Sequence, residues 1–142
     1  MDNVAFICAD AGDTGLPAAS ADLVVAADLF EHLYPEDSAR VAAEAWRILR
    51  PGGRFAVWTP HRGHILEILK NNRILLSPDP THVDYKSMER TTGLLRDAGF
   101  DVRRAYYAES HLWGLRVAER LLGRWIPLLR RRIAVLGIKP DA

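Results

Sequence analysis

Three of the five histidines fall between residues 61 and 82 and raise the question of a metal site. Histidine is a common ligand of zinc, and His61 and His64 have a spacing that on a helix would put both side chains on one face. Pro60 and Gly63 instead indicate a strand-to-loop junction there. No carboxylate or cysteine completes a recognised ligand spacing with these residues or with His82. The sequence therefore predicts no metal site.

The single cysteine, Cys8, cannot form an internal disulfide. It stands in the apolar run Val4 to Ala9, which is short and β-favouring and is followed by a cluster of turn residues. We therefore predict a buried strand over this run. A small buried thiol, rather than a catalytic nucleophile, is the expected role of Cys8.

A second apolar run, Asp22 to Ala27, has no alternation of polar and apolar residues, which is typical of a strand covered on both faces of a parallel sheet. In open sheets of this type, ligands bind beyond the carboxyl ends of the strands. The residues at the predicted strand ends are therefore candidate ligand contacts: Asp10, Ala11, Ala27, Asp28, Pro60 and His61.

A helix is predicted between residues 36 and 50, where apolar residues recur with the period of an amphipathic helix. Acidic residues begin this segment and arginines end it, as the helix dipole favours. Pro51, Gly52 and Gly53 end the helix, and Phe55 to Thr59 reads as a third strand.

The second half of the chain predicts one more well-defined helix, over residues 87 to 98. Gly99 stands where a left-handed residue ends a helix, and Phe100 is spaced to contact Leu95 in a Schellman motif. Two further strands are predicted over residues 101 to 109 and 133 to 138, joined by a helical stretch that Pro127 interrupts.

This alternation of strands and helices predicts one α/β domain over residues 1 to 142. We expect a mostly parallel sheet with helices on both faces, and the two carboxyl-terminal strands can pair antiparallel. The chain shows no internal repeat and no domain boundary.

A series of short motifs in a fixed order resembles the class I S-adenosylmethionine-dependent methyltransferases of the small-molecule type. The motifs are Asp10-Ala11, Leu16-Pro17, Ala21-Asp22-Leu23-Val24-Val25, Leu29-Phe30-Glu31-His32-Leu33, Glu44-Ala45-Trp46-Arg47-Ile48-Leu49-Arg50-Pro51-Gly52-Gly53, Asp79-Pro80-Thr81-His82 and Leu94-Leu95-Arg96-Asp97-Ala98-Gly99-Phe100. Each motif alone is weak, but their order is specific. The resemblance runs from Val4 to Lys139 and implies a partial Rossmann-like methyltransferase sheet and S-adenosylmethionine as the cofactor.

The resemblance implies cofactor contacts for four residues. The Asp10 carboxylate would accept a hydrogen bond from the exocyclic amine of adenine, and the Ala11 backbone amide would meet a ring nitrogen. Ala27 and Asp28 would pass close to the methionine part of the cofactor. The alternative for Asp10 is a turn acid that caps a strand end, and the alternative for Ala27 and Asp28 is plain strand termination.

Two histidines are the catalytic candidates that the resemblance suggests. His32 follows Glu31 at the start of the helical region after a strand, and it could accept a proton from an acceptor hydroxyl or amine. His82 lies in a stretch that covers the acceptor pocket in the family. The alternatives are a loop-bonded His32 and a surface-loop His82. Because methyl transfer from a sulfonium releases a neutral leaving group, positioning can supply much of the acceleration and a base is optional.

The glycine-rich cofactor loop of the resembled family is absent from these residues. The ten glycines stand at positions 12, 15, 52, 53, 63, 93, 99, 114, 123 and 137, so the chain contains no Gly-x-Gly. Such a loop brings the backbone close to the ligand beside a helix amino terminus. We therefore expect an incomplete methyltransferase domain. A shortened sequence, one half of a split enzyme and a non-catalytic remnant that serves as a binding module all stay open.

Charge is distributed unevenly and bears on partners. Residues 1 to 50 hold nine acids and three bases, whereas residues 51 to 142 hold nine acids and sixteen bases. Six arginines interleave with leucines and tryptophans between Leu112 and Arg132, which favours contact with an amphiphilic or anionic acceptor or a membrane surface. Ordinary packing of the apolar stripe on the sheet is the alternative.

The remaining expectations concern the acceptor and the location of the protein. The basic residues do not interleave with an aromatic stacking platform, so we expect a small-molecule or lipid-linked acceptor and no nucleic acid. The absence of a long apolar segment and of a secretory signal predicts a cytoplasmic protein. An exposed sheet edge would favour self-association.

Overall fold

The computed structural model describes residues 3–61, 63–72, 80–109, 113–123 and 125–141. Four strands and four helices lie in these ranges. Their order is β1 (Ala21–Ala27), α1 (Pro35–Ile48), β2 (Leu49–Pro60), α2 (Ile65–Asn71), α3 (Met88–Asp97), β3 (Asp101–Ala108), α4 (Trp113–Leu122) and β4 (Arg132–Ile138), with short 3-10 turns at Phe30–His32 and Pro127–Leu129. None of the helices in the described ranges is long and apolar enough to span a membrane.

The four strands form one mixed sheet in the order β1-β2-β4-β3. β1 and β2 are parallel, whereas β4 is antiparallel to both β2 and β3. The α/β class and the antiparallel carboxyl-terminal pair are confirmed. β1, β2 and β3 run in the same direction and β4 is reversed between β2 and β3, so parallel pairing among the described strands is limited to β1 with β2.

The hydrophobic core lies on one face of this sheet, under α1 and α3. Val41 and Ala45 of α1 and Leu95 of α3 pack with Phe55 of β2 and Ile133 of β4, and all five are buried. Phe55 also contacts Phe100, with ring centroids 5.4 Å apart. Because alternate residues of a strand face opposite sides, this packing assigns the odd-numbered residues of β2 and β4 to the covered face.

The opposite face of the sheet is open in the described ranges. Leu23 and Val25 of β1 and Tyr106 of β3 are more than half exposed, and Ala56 of β2 lies between them in the register. A groove of about 550 Å³ runs over this face. Helices were predicted on both faces of the sheet. The described helices that pack on the sheet all lie on the face that carries the hydrophobic core.

The predicted first strand is wrong. Residues 4 to 9 form no strand and lie exposed, with Phe6 at 96% and Ile7 at 62% of full exposure, and Cys8 is exposed rather than buried. β-branched and aromatic residues favour a strand only where a neighbouring strand supplies the ladder and a packed surface. None of the four described strands pairs with this run.

The ends of α3 follow the sequence closely. The Ser87 side chain accepts a hydrogen bond from the Arg90 amide at 3.2 Å and caps the amino end. At the other end the Phe100 amide donates to the Leu95 carbonyl and the Gly99 amide to the Arg96 carbonyl, both at 2.9 Å. Gly99 has a φ of +96°, so the predicted Schellman motif is confirmed.

The helix predicted over residues 36 to 50 is also confirmed, with Pro35 in its first turn and Arg47 in its last. The strand that follows is longer than expected. β2 begins at Leu49, so Pro51, Gly52 and Gly53 lie within it.

Glu44 ties the segment before β1 to the side of α1. Its carboxylate is only 6% exposed and accepts hydrogen bonds from the Thr14 amide at 2.9 Å and from Arg47 Nε at 2.7 Å. Arg47 also donates to the Leu16 carbonyl. The Arg47 guanidinium, and after it the hydroxyl and amide of Thr14, lower the pKa of the Glu44 carboxyl to about 2 against the opposing effect of burial.

Two glycine substitutions should have opposite effects on stability. In Gly99→Ala, the alanine must adopt the left-handed conformation of Gly99, and its Cβ lies 3.0 Å from Nε1 of Trp46. We therefore expect the free energy of unfolding to fall by about 1–2 kcal/mol. Gly93 lies inside α3 with no atom within 4 Å of an added Cβ, so Gly93→Ala should raise it by up to about 1 kcal/mol. Urea denaturation measures both, and equal losses would contradict the assignment of the cap.

Replacing Glu44 should cost stability in a pH-dependent way. At pH 7 we expect Glu44→Gln to lower the free energy of unfolding by about 1–3 kcal/mol, because charged hydrogen bonds to Thr14 and Arg47 are lost. The folded pKa lies below the ordinary value of 4.5, so this stabilisation is complete above pH 4.5 and is lost as the pH falls towards 2. Denaturation curves of both proteins should therefore converge on acidification.

Glu36→Gln is the control for that experiment, because Glu36 is an exposed acid on the same helix. Its effect should stay within about 0.5 kcal/mol. A difference between the Glu44→Gln variant and the unmodified protein that stays constant down to pH 3 would rule out the proposed role of the carboxylate.

Candidate functional site

The carboxyl ends of the parallel strands β1 and β2 lie side by side and form one wall of the candidate site. Ala27 pairs with Trp58, and the Asp28 amide donates to the Trp58 carbonyl at 2.8 Å. Asp28 has a φ of +49°, in the left-handed region that aspartate tolerates better than most residues. Backbone conformations of this kind are concentrated at functional sites.

A cavity of about 210 Å³ lies at this edge of the sheet. It brings together the two catalytic candidates His32 and His82, whose ring centroids are 4.7 Å apart in an edge-to-face arrangement. The lining residues are Asp28, Glu31, His32, Pro60, Glu67, His82, Arg131 and Arg132. Asp28, His32 and His82 were singled out from the sequence, and the structure places all three in one cavity. Asp79, from the same motif as His82, lies outside the described residues.

Glu31 is the most buried polar group of this cavity, with 1% of its surface exposed. The Thr59 hydroxyl at the end of β2 donates to its carboxylate at 2.9 Å. The Glu31 backbone carbonyl accepts from the amides of Val83 and Asp84, at 2.9 and 3.2 Å. These bonds join the turn that carries His32 to the segment that carries His82.

The hydrogen bonds of both histidines orient their rings. His32 Nδ1 lies 3.0 Å from the Thr81 carbonyl, which can only accept, so Nδ1 carries the proton. His82 Nδ1 lies 2.7 Å from the Tyr85 hydroxyl, which donates its own proton to Glu67 at 2.9 Å and therefore accepts from His82. In both neutral rings the lone pair is on Nε2.

Lys86 also joins the turn that carries His32 to the segment that carries His82. It is only 3% exposed, and its ammonium donates to the carbonyls of Phe30 and Leu33 at 2.9 and 3.2 Å. It also forms an ion pair with Asp84 at 2.9 Å, and Arg90 contacts the same carboxylate. A buried ammonium is tolerated here because each proton has an acceptor. No local sequence pattern marks Thr59 or Lys86, whose partners are 28 and 56 positions away, or the hydroxyl of Tyr85 as a contact of His82.

Asp28 pairs with Arg132, the first residue of β4. The Arg132 guanidinium also lies over the Trp58 ring, 5.9 Å from its centroid. Asp28 and Ala27 line the larger groove on the open face as well, together with Val25, Trp58 and Tyr106. Asp28 therefore lines both the cavity and the groove, whereas Ala27 lines the groove alone.

Asp10 and Ala11 lie elsewhere, along the side of α1. One carboxylate oxygen of Asp10 accepts from the Gly12 amide at 2.7 Å, and the other lies 3.2 Å from Arg40. The Gly12 amide and then Arg40 lower the pKa of the Asp10 carboxyl. Both residues are exposed, and neither lines the cavity or the groove. The structure thus separates the two pairs of cofactor candidates.

The histidines at 61 and 64 belong to a different environment. His61 Nδ1 lies 2.9 Å from the Arg130 carbonyl, and its ring packs against Tyr107. His64 donates its backbone amide to the His61 carbonyl. Among the described residues, the group whose side chains could share a metal ion is instead Glu31, His32 and His82. Sequence spacing missed it because Glu31 and His82 are far apart along the chain.

Comparisons with known sequences point to one family. The family model described as a methyltransferase domain matches residues 1–57. A "probable S-adenosylmethionine-dependent methyltransferase" of Mycolicibacterium smegmatis is 40% identical over 93 residues, which is 61% of this chain. A protein of Mycobacterium tuberculosis with the same description is 37% identical over 98 residues, or 65% of this chain. The chain spans 31% of the length of each relative.

Solved structures support the fold independently. A S-adenosylmethionine-dependent methyltransferase of Archaeoglobus fulgidus superimposes with a TM-score of 0.68 at 18% identity, covering 94% of this chain and 66% of that one. A methyltransferase of Methanosarcina mazei gives 0.65 at 15% identity, with the same coverage. The ordered motifs, the family model, the mycobacterial relatives and the fold agree. The chain is therefore similar to S-adenosylmethionine-dependent methyltransferases in residues 1–57, in its mycobacterial relatives and in its fold.

Proposed function

We propose that this chain forms the acceptor side of a methyltransferase that transfers a methyl group from S-adenosylmethionine to a small-molecule or lipid-linked acceptor. The observation that carries the proposal is the cavity at the carboxyl ends of β1 and β2, where His32 and His82 lie together beside Asp28. Ligands of open α/β sheets bind at this edge.

The residues present suit the cofactor in part. Ala27 and Asp28 lie at the mouth of a groove of about 550 Å³, within the size range of small-ligand sites. Asp10 offers an exposed carboxylate for the adenine amine, as the family resemblance implies. When bound, S-adenosylmethionine supplies an electrophilic methyl group on a sulfonium.

The histidines can take the proton that an acceptor loses. Because Nδ1 of His32 and of His82 faces an acceptor, the basic Nε2 of each neutral ring is the atom able to receive a proton from a hydroxyl or amine. The ties made by Glu31, Thr59 and Lys86 hold these rings in place. Positioning of the acceptor by this rigid edge contributes together with proton removal.

The surface of α4 supports an amphiphilic acceptor. Trp113 and Leu121 of α4 are exposed at 75% and 66%, Trp125 just after the helix is exposed at 77%, and Arg116 and Arg120 of the helix are exposed as well. These described side chains offer apolar and basic surface to a partner. Large exposed aromatic and leucine side chains beside arginines are typical of helices that lie in a membrane interface. Leu112 lies outside the described residues.

An interaction module completed by another polypeptide segment is the second candidate. Its support is the open face of the sheet and the exposed apolar run that includes Val4, Phe6 and Ile7. Apolar surface of this extent favours association with another segment or with a second copy. Both candidates use the same chain, and cofactor binding distinguishes them.

Cofactor affinity should depend on a glycine-rich loop, which these 142 residues do not contain. We expect the chain as described to bind S-adenosylmethionine too weakly for calorimetric titration, and an extended form carrying a glycine-rich loop to bind it well. Each buried hydrogen bond lost costs about 1 kcal/mol or more, and every 1.4 kcal/mol is about tenfold in affinity. Micromolar binding by the 142 residues alone would contradict this expectation and would require the pocket to be completed by self-association.

The adenine contact can be tested in the extended form. Asp10→Asn keeps an acceptor for the Gly12 amide but removes the charge, so we expect affinity for S-adenosylmethionine to fall about tenfold. Asp22→Asn is the matched control, because Asp22 is also an exposed aspartate paired with an arginine, Arg50. Equal effects of the two substitutions on affinity would exclude a specific role of Asp10.

The α4 surface can be tested by co-sedimentation with vesicles that contain anionic lipid. We expect salt-sensitive binding that Leu121→Ser combined with Trp125→Ser reduces at least about fivefold, since each side chain contributes buried apolar area. Phe6→Ser, an equally exposed aromatic outside α4, serves as the control. Absence of binding to anionic vesicles would leave the small-molecule acceptor as the proposal.

A further inference from the structure

We propose that Glu31, His32 and His82 bind a divalent transition-metal ion of the zinc type. One carboxylate oxygen and two imidazole nitrogens, one from each residue, lie within 4.8 Å of one another. This site goes beyond the proposed function and needs neither cofactor nor acceptor to form. It is an alternative use of the same two Nε2 atoms, because a ring nitrogen that binds the ion cannot also take a proton from an acceptor.

The spacing of the three ligand atoms is close to what a metal requires. Ligand atoms at about 2.0–2.1 Å from a tetrahedral ion lie about 3.3 Å apart, so the cluster must contract by about 1.5 Å at most. The two rings already meet edge to face, with centroids 4.7 Å apart. Small rotations of the side chains supply the contraction without movement of the backbone.

The partners of the ligands are those expected around a metal. Metal-binding histidines generally donate their other ring N–H to a carbonyl, a carboxylate or a similar acceptor, which fixes the tautomer. His32 donates from Nδ1 to the Thr81 carbonyl, and His82 donates to Tyr85, which is itself held by Glu67. Both residues therefore present Nε2 as the ligand atom.

The charges around the cavity favour a cation. A carboxylate as buried as Glu31 is costly unless its charge is balanced, and the neutral Thr59 hydroxyl does not balance it. The same cavity is lined by three acids, Asp28, Glu31 and Glu67, and by two bases, Arg131 and Arg132. Asp28 and Arg132 form an ion pair and compensate each other, which leaves the carboxylates of Glu31 and Glu67 against the single guanidinium of Arg131.

The ligand set indicates the class of metal. Two imidazoles and one carboxylate suit zinc and its neighbours in the first transition row, whereas calcium and magnesium prefer oxygen alone. Three protein ligands leave a fourth position for water or for an oxygen of a bound molecule. The cavity of about 210 Å³ has room for either.

The test is titration of the tag-free protein with Co²⁺, followed by its visible absorption, and with Zn²⁺, followed by calorimetry. We expect one ion per chain. His82→Ala and His32→Ala should each weaken binding at least about tenfold. His61→Ala is the matched control, since His61 lies outside the cluster, and it should leave the affinity unchanged.

Glu31→Gln keeps the size of the side chain and its hydrogen bonding to Thr59 while removing the charge, and it should also weaken Zn²⁺ binding. Circular dichroism of every variant separates loss of the ligand from loss of the fold. Absence of a one-to-one complex, or equal weakening by His61→Ala and His82→Ala, would overturn the metal site. Because no S-adenosylmethionine is used, that outcome would leave the proposed methyltransferase function standing.

Discussion

The parallel pairing of β1 with β2 is the constraint on which the candidate site depends. It aligns Ala27 with Trp58, so the two strands end at the same edge and release the turn with His32 and the loop with His61 side by side. The core under α1 and α3 holds this pair in place from one face, through Phe55 and Leu95. Without that register, the residues that follow β1 and those that end β2 would not lie at the same edge of the sheet.

Hydrogen bonds between distant segments hold this edge of the sheet in place. Lys86 donates to the carbonyls of Phe30 and Leu33, and Glu31 accepts from Thr59, so hydrogen bonds join segments 28 to 56 positions apart. Buried polar groups are stable only when each one finds a partner. These bonds hold the turn with His32 beside the segment with His82, while the Thr81 carbonyl and the Tyr85 hydroxyl orient the two rings.

Outside the cavity, one face of the sheet is covered by helices, and other surfaces expose apolar side chains. The face under α1 and α3 is closely packed, whereas the opposite face, the run at residues 4 to 9 and the exposed side of α4 present large apolar side chains to solvent. Exposed apolar surface of this extent is typical of surfaces that contact another segment, another molecule or a lipid.

Local chemistry determined α3 and most of the strands, whereas α1 ends at Ile48 rather than at residue 50 and α2 was not predicted. The cap at Ser87, the Schellman motif at Gly99 and the strand over residues 22 to 27 follow from interactions within a few residues, so the sequence was sufficient to predict them. The strand at Val4 to Ala9 and the burial of Cys8 were wrong, because strand formation depends on a neighbour that no local pattern encodes. Only the tertiary structure decided that β4 runs antiparallel between β2 and β3, and that Glu31, His32 and His82 meet in one cavity. These features join residues that are distant along the chain, and their geometry is set by packing rather than by spacing.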